Sequence, residues 1–203
     1  MPESREIEYW DKVSETYVAD RGIKADNYFK RVEQIRRLLE HAWEKEDVLE
    51  IGCGNAMIAG VLKMMFLGNI NYTATELSNR FIKNARKTFG LDVHQIDVRE
   101  LHRLEKNKFS RIIAFDSLEH VRPGHRELGY HQIASMAKKG CKLFIHYSDS
   151  PCSHDPEFDH PFGLEDISAL EGVGFRLNSF ERYDCYNPAG NLNLVFLVME
   201  KCD

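Results

Sequence analysis

The sequence predicts an α/β fold: a seven-stranded, mostly parallel sheet with helices on both faces, a helical cap at the N-terminus and an antiparallel hairpin at the C-terminus. Three observations indicate this fold. After Lys45, short apolar runs alternate with segments of helical pattern, which is typical of βαβ units and a parallel sheet. A glycine-containing turn, "IGCGNA", joins the first of these runs to a helical segment. Two strand-like runs near the end have no room for a helix between them.

Residues 1–45 are predicted to form the helical cap, and residues 46–203 the core of the same single domain. The segment "FKRVEQIRRLLEHAW" is helical in pattern. It places five apolar side chains on one face, those of Phe29, Val32, Ile35, Leu38 and Leu39.

The core is predicted to begin with five parallel strands and the helices between them. The strands are "DVLEIG", "INYTATE", "DVHQID", "RIIAFDS" and "KLFIHYS". The helices are "AMIAGVLKMMF", "SNRFIKNARKTFG" and "GHRELGYHQIASMAKKG", with Ser78 as an N-cap and Gly90 and Gly140 as C-caps. Two more strands, "FRLNSFERYD" and "NLNLVFLVMEK", follow and are joined by the short polar "CYNPAGN", which predicts a hairpin with one strand antiparallel to the rest.

Composition narrows the class of protein. The 203 residues carry a formal net charge of −5, which disfavours nucleic acid or an anionic membrane as the partner. The five cysteines contain no C-x-x-C pair, so neither a disulfide framework nor a zinc ribbon is predicted. The start lacks a signal-peptide pattern, and the longest apolar run, "MIAGVL", is too short to span a bilayer. We therefore expect a soluble, cytoplasmic protein.

The turn after the first strand indicates which ligand the sheet would bind. A dinucleotide-binding turn would place a third glycine where Met57 stands, and a P-loop would need Gly-Lys-Ser/Thr, so both are disfavoured. What remains is Glu50-x-Gly52-x-Gly54, with an acidic residue in the strand itself. Glu76, after the second strand, lies where a carboxylate can accept from both ribose hydroxyls. Asp97, after the third strand, could accept from an adenine amine.

These motifs together resemble those of the class I S-adenosylmethionine-dependent methyltransferases, which have a Rossmann-like fold. "VLEIGCGNA", "TATELS", "QIDV" and "IIAFDSLEHV" are similar to four family motifs in register, over Val48 to about Phe175. Ala56, where the family often has another glycine, is a small departure. The resemblance implies S-adenosyl-L-methionine as cofactor and S-adenosyl-L-homocysteine as product. It implies cofactor contacts from Tyr9, Tyr17, Glu50, Gly52, Cys53, Gly54, Glu76, Leu77, Asp97, Val98, Phe115, Asp116 and Ser117.

The N-terminal segment "EYWDKVSETYVADRG" resembles the aromatic-rich helix that caps the cofactor in the family's small-molecule, natural-product members. Tyr9, Trp10 and Tyr17 are the expected contacts, although these rings could equally pack on the sheet. The second part of the lid is predicted to be the loop "SDSPCSHDPEFDHPFG", because loops at this edge carry acceptor specificity.

The acceptor side offers candidate bases and cations. His120, His146 and Tyr147 follow the fourth and fifth strands and are the candidate catalytic residues. Cations crowd the start of the next helix, where the macrodipole prefers acids. The hypothesis is that they hold an anionic small-molecule or peptide acceptor such as a carboxylate, which would be O-methylated; an ordinary solvated helix start is the alternative. The predicted substrate-binding residues are Trp10, Arg122, His125, Arg126 and His160.

Three alternatives stay open. Asp116, Glu119, His120 and His160 resemble the metal-binding set of small-RNA 2′-O-methyltransferases, although that family has glutamate where Asp116 stands. We predict no metal site, because the acidic balance fits RNA poorly. The chain could also bind the cofactor as a non-catalytic partner subunit, or transfer an aminopropyl group. The sequence does not identify the acceptor, the methylated atom or the oligomeric state.

Overall fold

The structure of the chain, a computed structural model, describes residues 4–19, 25–66, 69–149, 157–185 and 192–202. Its helices are α1 (Ser4–Ala19), α2 (Ala25–Leu39), α3 (Met57–Met65), α4 (Asn79–Phe89), α5 (Pro123–Met136) and α6 (Leu164–Gly172). Its strands are β1 (Glu46–Ile51), β2 (Ile70–Glu76), β3 (Val93–Gln95), β4 (Phe109–Phe115), β5 (Ala137–Ser148), β6 (Phe175–Cys185) and β7 (Leu192–Lys201). Short 3₁₀ helices span Val98–Arg103 and Leu118–His120.

The seven strands form one sheet in the order β3-β2-β1-β4-β5-β7-β6. β1 to β5 run parallel, whereas β7 is antiparallel to both β5 and β6. The predicted fold, including the C-terminal hairpin, is therefore confirmed. Because parallel strands end at the same edge, the loops after β1, β2, β3 and β4 lie together.

Two hydrophobic clusters cover the two faces of the sheet. Along β4, Ile112 and Ala114 belong to a cluster that includes Ile133 of α5, whereas Ile113 and Phe115 belong to a cluster that includes Leu38 of α2. This alternation follows from the two-residue period of a strand.

Helix α2 packs differently from its apolar pattern. Leu38 is fully buried, but Phe29, Val32 and Leu39 are 41%, 43% and 37% exposed. The buried side of the helix also carries Gln34 and Arg37. The reason is that α2 lies over polar side chains at the end of β4 and in β5, and it forms hydrogen bonds there.

Of the three predicted helix caps, two are confirmed and one is wrong. Ser78 caps α4 by accepting from the Phe81 N–H, and Gly90 ends the same helix in the left-handed conformation. Gly140, however, is not a C-cap: α5 ends at Met136, and β5 begins at Ala137. Pairing with β4 overrides the helical pattern here, because Ala137 pairs with Phe109 and Gly140 lies in an irregular stretch before Lys142 pairs with Arg111. The strand predicted from "DVHQID" is also shorter, Val93–Gln95.

None of the helices in the described ranges is both long enough and apolar enough to cross a membrane.

Candidate functional site

The glycine turn lies directly against the end of β4. Gly52 and Gly54 have φ angles of +66° and +54°, values that glycine adopts without strain. A Cβ on Gly52 would lie 2.6 Å from the Ser117 Cβ. Cys53 is buried between the two glycines, and its N–H donates to the Thr75 carbonyl at 3.0 Å. The turn is therefore tight, and its position depends on a missing side chain at residue 52.

Glu76 connects the end of β2 to this turn. Its Oε2 accepts from the Gly54 N–H at 2.7 Å, and its Oε1 accepts from the N–H groups of Leu77 and Ser78 at 2.8 and 3.0 Å. Burial raises the pKa of the Glu76 carboxyl, although the three N–H groups oppose that effect. A carboxylate has about four lone-pair sites, so Glu76 retains capacity for a ligand hydroxyl.

Asp97 lies at the end of the third parallel segment and is buried. Its Oδ1 accepts from the Arg99 N–H at 2.7 Å, and both carboxylate oxygens pair with the Arg99 guanidinium at 2.6 and 2.8 Å. Arg99 also reaches Glu6 of α1 at 2.6 Å. Asp97 thus begins the 3₁₀ helix, whose first residue, Val98, is buried against α5.

Asp116 follows β4 in a left-handed conformation, with φ +50°, and lies under helix α2. Its carboxylate pairs with Lys30 Nζ at 2.7 Å and Arg31 Nη1 at 3.3 Å, and it accepts from Gln34 Nε2 at 2.9 Å. Burial alone would raise the pKa of Asp116, but Lys30, His146 and Arg31 hold it well below its usual value. Asp116 is therefore ionised at neutral pH.

Lys30, Arg31 and Gln34 are the site residues that the sequence reasoning missed. They occupy positions i, i+1 and i+4 of α2, between the apolar residues of its predicted face. The sequence did contain a signal for them, because two cations and an amide interrupt the apolar stripe of α2. Their contact with Asp116 closes α2 onto the carboxyl end of the sheet.

His146, a predicted base, is fully buried in the same network. Gln34 Nε2 lies 2.7 Å from its Nδ1, and the Tyr183 hydroxyl lies 2.8 Å from its Nε2. The same Nδ1 lies 3.2 Å from Asp116 Oδ1. Burial lowers the pKa of His146 to about 4, so the ring is neutral. With both nitrogens bonded inside the protein, His146 holds α2 to the sheet rather than facing an acceptor.

Tyr147 also has an environment unlike that of a base. It is buried against Phe162, with ring centroids 4.9 Å apart, and burial raises the pKa of its phenol to about 12. The phenol therefore stays protonated at neutral pH. Phe115, predicted as a cofactor contact, is in the core on the α2 side of the sheet, 5.6 Å from the His146 ring.

The aromatic residues of α1 meet the loop after β4, as the cap hypothesis requires. The Trp10 ring lies 4.6 Å from the His120 ring, and Tyr9 stacks on Phe158 at 4.1 Å. His120 Nδ1 lies 2.9 Å from the Phe158 carbonyl, so Nδ1 carries a proton and donates to it. The side chain of Tyr17 lies outside the described residues.

The cations at the start of α5 have partners within the protein. Arg126 is buried and donates from Nε to Val121, from Nη1 to Pro161 and Asp166, and from Nη2 to Glu119 and His160. Arg122 pairs with Glu157 at 3.0 Å, and His125 Nδ1 lies 2.9 Å from Arg99 Nη1. The structure thus gives Arg126 a structural role in place of the predicted substrate contact.

Two buried polar atoms near the loop have no partner in the described part of the chain: Ser117 Oγ, against the glycine turn, and His160 Nε2. Orphaned polar atoms in a folded protein are rare and indicate a site for a ligand or water. Among the described residues, no group of three or more His, Cys, Asp and Glu is arranged to hold a metal ion.

Glu119 is a buried carboxyl in the same loop. Burial, Asp116 and Asp159 raise its pKa to about 8, against the opposing effect of Lys30. Glu50 of β1 is also buried, and it accepts from the Tyr72 hydroxyl at 2.9 Å. Burial raises the pKa of Glu50 to about 7.

These two carboxyls predict how stability depends on pH. Their folded-state pKa values exceed those of the unfolded chain, so their contribution is complete below about pH 4.5 and is lost as pH rises toward 8. The lowered pKa of His146 changes the free energy of unfolding only below about pH 6.5. We expect the free energy of unfolding to fall above pH 6.5 by up to about 1.4 kcal/mol per pH unit for each group, until about pH 7 for Glu50 and about pH 8 for Glu119. Urea unfolding of the ligand-free protein measures this, and Glu50→Gln with Glu119→Gln should flatten the profile; an unchanged slope would contradict it.

Comparison with known proteins finds a methyltransferase domain and a shared fold. Residues 48–140 match the model of a methyltransferase domain. A search of curated proteins finds no match. Similar solved structures include one from the complex between the Haloferax volcanii Trm112 methyltransferase activator and a candidate methyltransferase (TM-score 0.76, 13% identity, covering 96% of this chain and 98% of that chain). Another is the TehB-like S-adenosylmethionine-dependent methyltransferase of Corynebacterium glutamicum (TM-score 0.69, 15% identity, 94% and 98%).

A third similar structure concerns the conversion of a disulfide bond into a thioacetal group during echinomycin biosynthesis (TM-score 0.64, 16% identity, 83% and 81%). At these identities the structures share the fold, and the match to a methyltransferase domain covers the glycine turn, Glu76, Asp97 and the β4 loop. Residues 48–140 therefore form a methyltransferase domain, and the chain shares the fold of S-adenosylmethionine-dependent methyltransferases, with S-adenosylmethionine as its cofactor and S-adenosylhomocysteine as its product.

Proposed function

We propose that the chain transfers a methyl group from S-adenosylmethionine to a small-molecule or peptide acceptor, at the carboxyl ends of β1 to β4. The observation that carries this proposal is the Glu76 carboxylate, held by the Gly54 N–H of the glycine turn. Glu76 would hold the ribose hydroxyls, Asp97 and Val98 the adenine, and the turn with Ser117 the methionyl part. When bound, the cofactor supplies an electrophilic methyl group on a positively charged sulfur. The orphaned Ser117 Oγ supports a polar ligand at this place.

Helix α1 would serve as the lid. It contacts the ends of three strands: Glu6 pairs with Arg99 after β3, Asp11 accepts from Ser78 after β2 at 2.6 Å, and Trp10 packs on His120 after β4. A helix tied at three strand ends would exclude water from the cleft, which strengthens every charge interaction inside it. Tyr9 would close the acceptor side through its stacking on Phe158.

The geometry argues for an acceptor that donates a hydrogen bond. The cations thought to hold a carboxylate are engaged with Glu157, Asp166 and backbone carbonyls. The acceptor side also carries the orphaned His160 Nε2 and the buried Glu119 carboxyl, both of which can accept a hydrogen bond. We therefore favour a hydroxyl or amine acceptor, methylated on oxygen or nitrogen, and we keep His120, which packs on Trp10 of the lid, as the candidate base. The echinomycin-related neighbour supports a natural product as the acceptor.

Calorimetric titration with S-adenosylmethionine tests the cofactor site. We expect Glu76→Ala to raise the Kd by about 100-fold, because two charge-assisted hydrogen bonds to a ribose are worth about 1.5–3 kcal/mol each and part is regained from water. The control is Glu127→Ala, at an exposed position of α5. Unfolding curves establish that each variant is folded. An unchanged Kd in folded Glu76→Ala would contradict the assignment.

Two further measurements address the alternatives. A Mg²⁺-dependent titration would favour the RNA 2′-O-methyltransferase hypothesis. Turnover to S-adenosylhomocysteine with hydroxyl and amine acceptors would separate an enzyme from a non-catalytic partner subunit. The neighbour from the Trm112 activator complex makes co-purification with a partner protein a sensible comparison.

A further inference from the structure

Arg99 connects the acid after β3 to the first turn of helix α1. Its Nε donates to Asp97 Oδ1 at 2.6 Å. Its Nη2 donates both to Asp97 Oδ2 at 2.8 Å and to Glu6 Oε2 at 2.6 Å. Glu6 and Asp97 are buried, and the Arg99 side chain is 12% exposed. One largely buried guanidinium therefore holds two carboxylates, one from the carboxyl edge of the sheet and one from α1.

The contacts of Asp97 leave one acceptor position open on Oδ2. Oδ1 accepts from the Arg99 N–H at 2.7 Å and from Nε, which together occupy its two lone-pair sites. Among the described residues, Oδ2 accepts from Arg99 Nη2 alone. The two-point contact with a planar guanidinium fixes the orientation of the carboxylate. Arg99 thus determines where a further donor can meet Asp97.

The position of Arg99 in turn depends on α1. Its Nη1 donates to His125 Nδ1 at 2.9 Å, because a guanidinium has no acceptor. Its Nη2 is shared between Asp97 and Glu6. A displacement of α1 therefore removes one partner of the same nitrogen that orients Asp97, and the carboxylate becomes free to turn.

We propose that Arg99 is a positioning residue that couples recognition of the adenine amino group to closure of α1. The inference rests on the proposed function, in which α1 is the lid and Asp97 accepts from the adenine amine. With the lid closed, Glu6 and Asp97 hold Arg99 between them, and the open position on Oδ2 is fixed for the amine. Coupling is reciprocal, so an amine that stabilises the fixed carboxylate also stabilises the closed lid.

A second link between α1 and the sheet provides the comparison. Asp11 Oδ1 accepts from Ser78 Oγ at 2.6 Å, and the Ser78 N–H donates to Glu76 Oε1 at 3.0 Å. This link leads to the acid proposed to hold the ribose, whereas the link through Arg99 leads to the acid proposed to hold the base. Loss of the Asp11 carboxylate should therefore weaken all ligands with the same ribose equally.

The test compares S-adenosylhomocysteine with S-inosylhomocysteine, which has a carbonyl oxygen in place of the adenine amino group. Calorimetric titration gives the ratio of the two Kd values. We expect wild type to prefer the adenosyl ligand by about 10- to 100-fold, the value of one hydrogen bond to a charged group. Glu6→Ala and Arg99→Lys should each lower this preference at least about 3-fold, since lysine keeps the charge without the two-point contact.

Three further variants show whether the effect follows the proposed contacts. The double variant Glu6→Ala with Arg99→Lys should lower the preference no further than Arg99→Lys, because both changes break one chain of contacts. Asp11→Ala and the exposed Glu8→Ala, also on α1, should keep the wild-type preference. Unfolding curves establish that each variant is folded. Glu6→Ala leaves the pair of Asp97 and Arg99 intact, so it carries the test if Arg99→Lys does not fold.

Hydrogen exchange of the α1 amides reports the lid directly. At saturation, S-adenosylhomocysteine should slow exchange in wild type more than S-inosylhomocysteine does, and Glu6→Ala should abolish that difference. Equal slowing by both ligands in wild type would overturn the coupling.

Other outcomes also contradict the inference while leaving the cofactor site in place. These are an absent preference in wild type, a preference unchanged in folded Glu6→Ala or folded Arg99→Lys, and an equal loss of preference in Asp11→Ala. In each case Arg99 would only brace α1 against the sheet. Failure of wild type to bind S-adenosylhomocysteine would instead overturn the proposed site itself.

Discussion

Replacement of Arg126 by Met is expected to lower the free energy of unfolding by about 3–5 kcal/mol, a range typical of breaking a buried ion pair. The guanidinium is 4% exposed and every nitrogen donates, including two bonds to Asp166 at 3.0 and 3.1 Å. Its loss leaves Asp166 without its cation and several carbonyls without a donor. Asp166 is also the N-terminal anchor of α6, since it accepts from the Gly163 N–H at 2.8 Å. The effect should therefore reach α6 as well as the β4 loop.

Urea unfolding measures this change, and Arg122→Met is its matched control. Arg122 is 31% exposed and pairs with Glu157, so its loss should cost less than about 1 kcal/mol. Arg126→Lys should fall between the two, because lysine keeps the charge but not the planar set of donors. If Arg126→Met were as stable as wild type and instead raised the KM for an acceptor, the original prediction that Arg126 binds substrate would be restored.

The fold could be predicted because its signals are local. Alternation of strands and helices, the left-handed glycine at the end of α4 and the Ser78 cap are each encoded within a few residues. The boundary between α5 and β5 was misplaced for the opposite reason. There the strand pairing of Ala137 with Phe109, 28 positions away, decides where the helix stops.

The candidate site could be predicted only where position along a strand was enough. Glu76, Asp97 and Asp116 follow strand ends, and all three are found at one edge of the sheet. The partners of these groups could not be found in the same way. Gln34 meets His146 across 112 residues and Asp116 across 82, and no periodicity carries that information. The strand pattern therefore predicted where the acidic side chains lie, but it did not show which of them are paired with cations.

The glycine turn offers the sharpest test of how the fold shapes the site. Gly52→Ala is expected to lower the free energy of unfolding by about 2–5 kcal/mol, from two separable costs. A left-handed conformation costs an L-residue about 1–2 kcal/mol, and forcing a methyl group against packed atoms adds about 1–3 kcal/mol. The added Cβ would lie 2.6 Å from the Ser117 Cβ, so the turn must move away from the end of β4. Binding of S-adenosylmethionine should weaken at least 100-fold as a result.

Two comparisons separate those costs. Gly90→Ala carries the conformational cost alone, because Gly90 has φ +62° and nothing within 4 Å of an added Cβ. It should cost about 1–2 kcal/mol and leave the cofactor Kd unchanged, since it lies at the far end of α4. In the Gly52→Ala background, Ser117→Gly removes the atom that clashes, so it should recover the steric part of the stability and none of the conformational part. If Gly52→Ala cost no more than Gly90→Ala, the close approach between the turn and the end of β4 would be wrong. The requirement for glycine at residue 52 would then come from its backbone conformation alone.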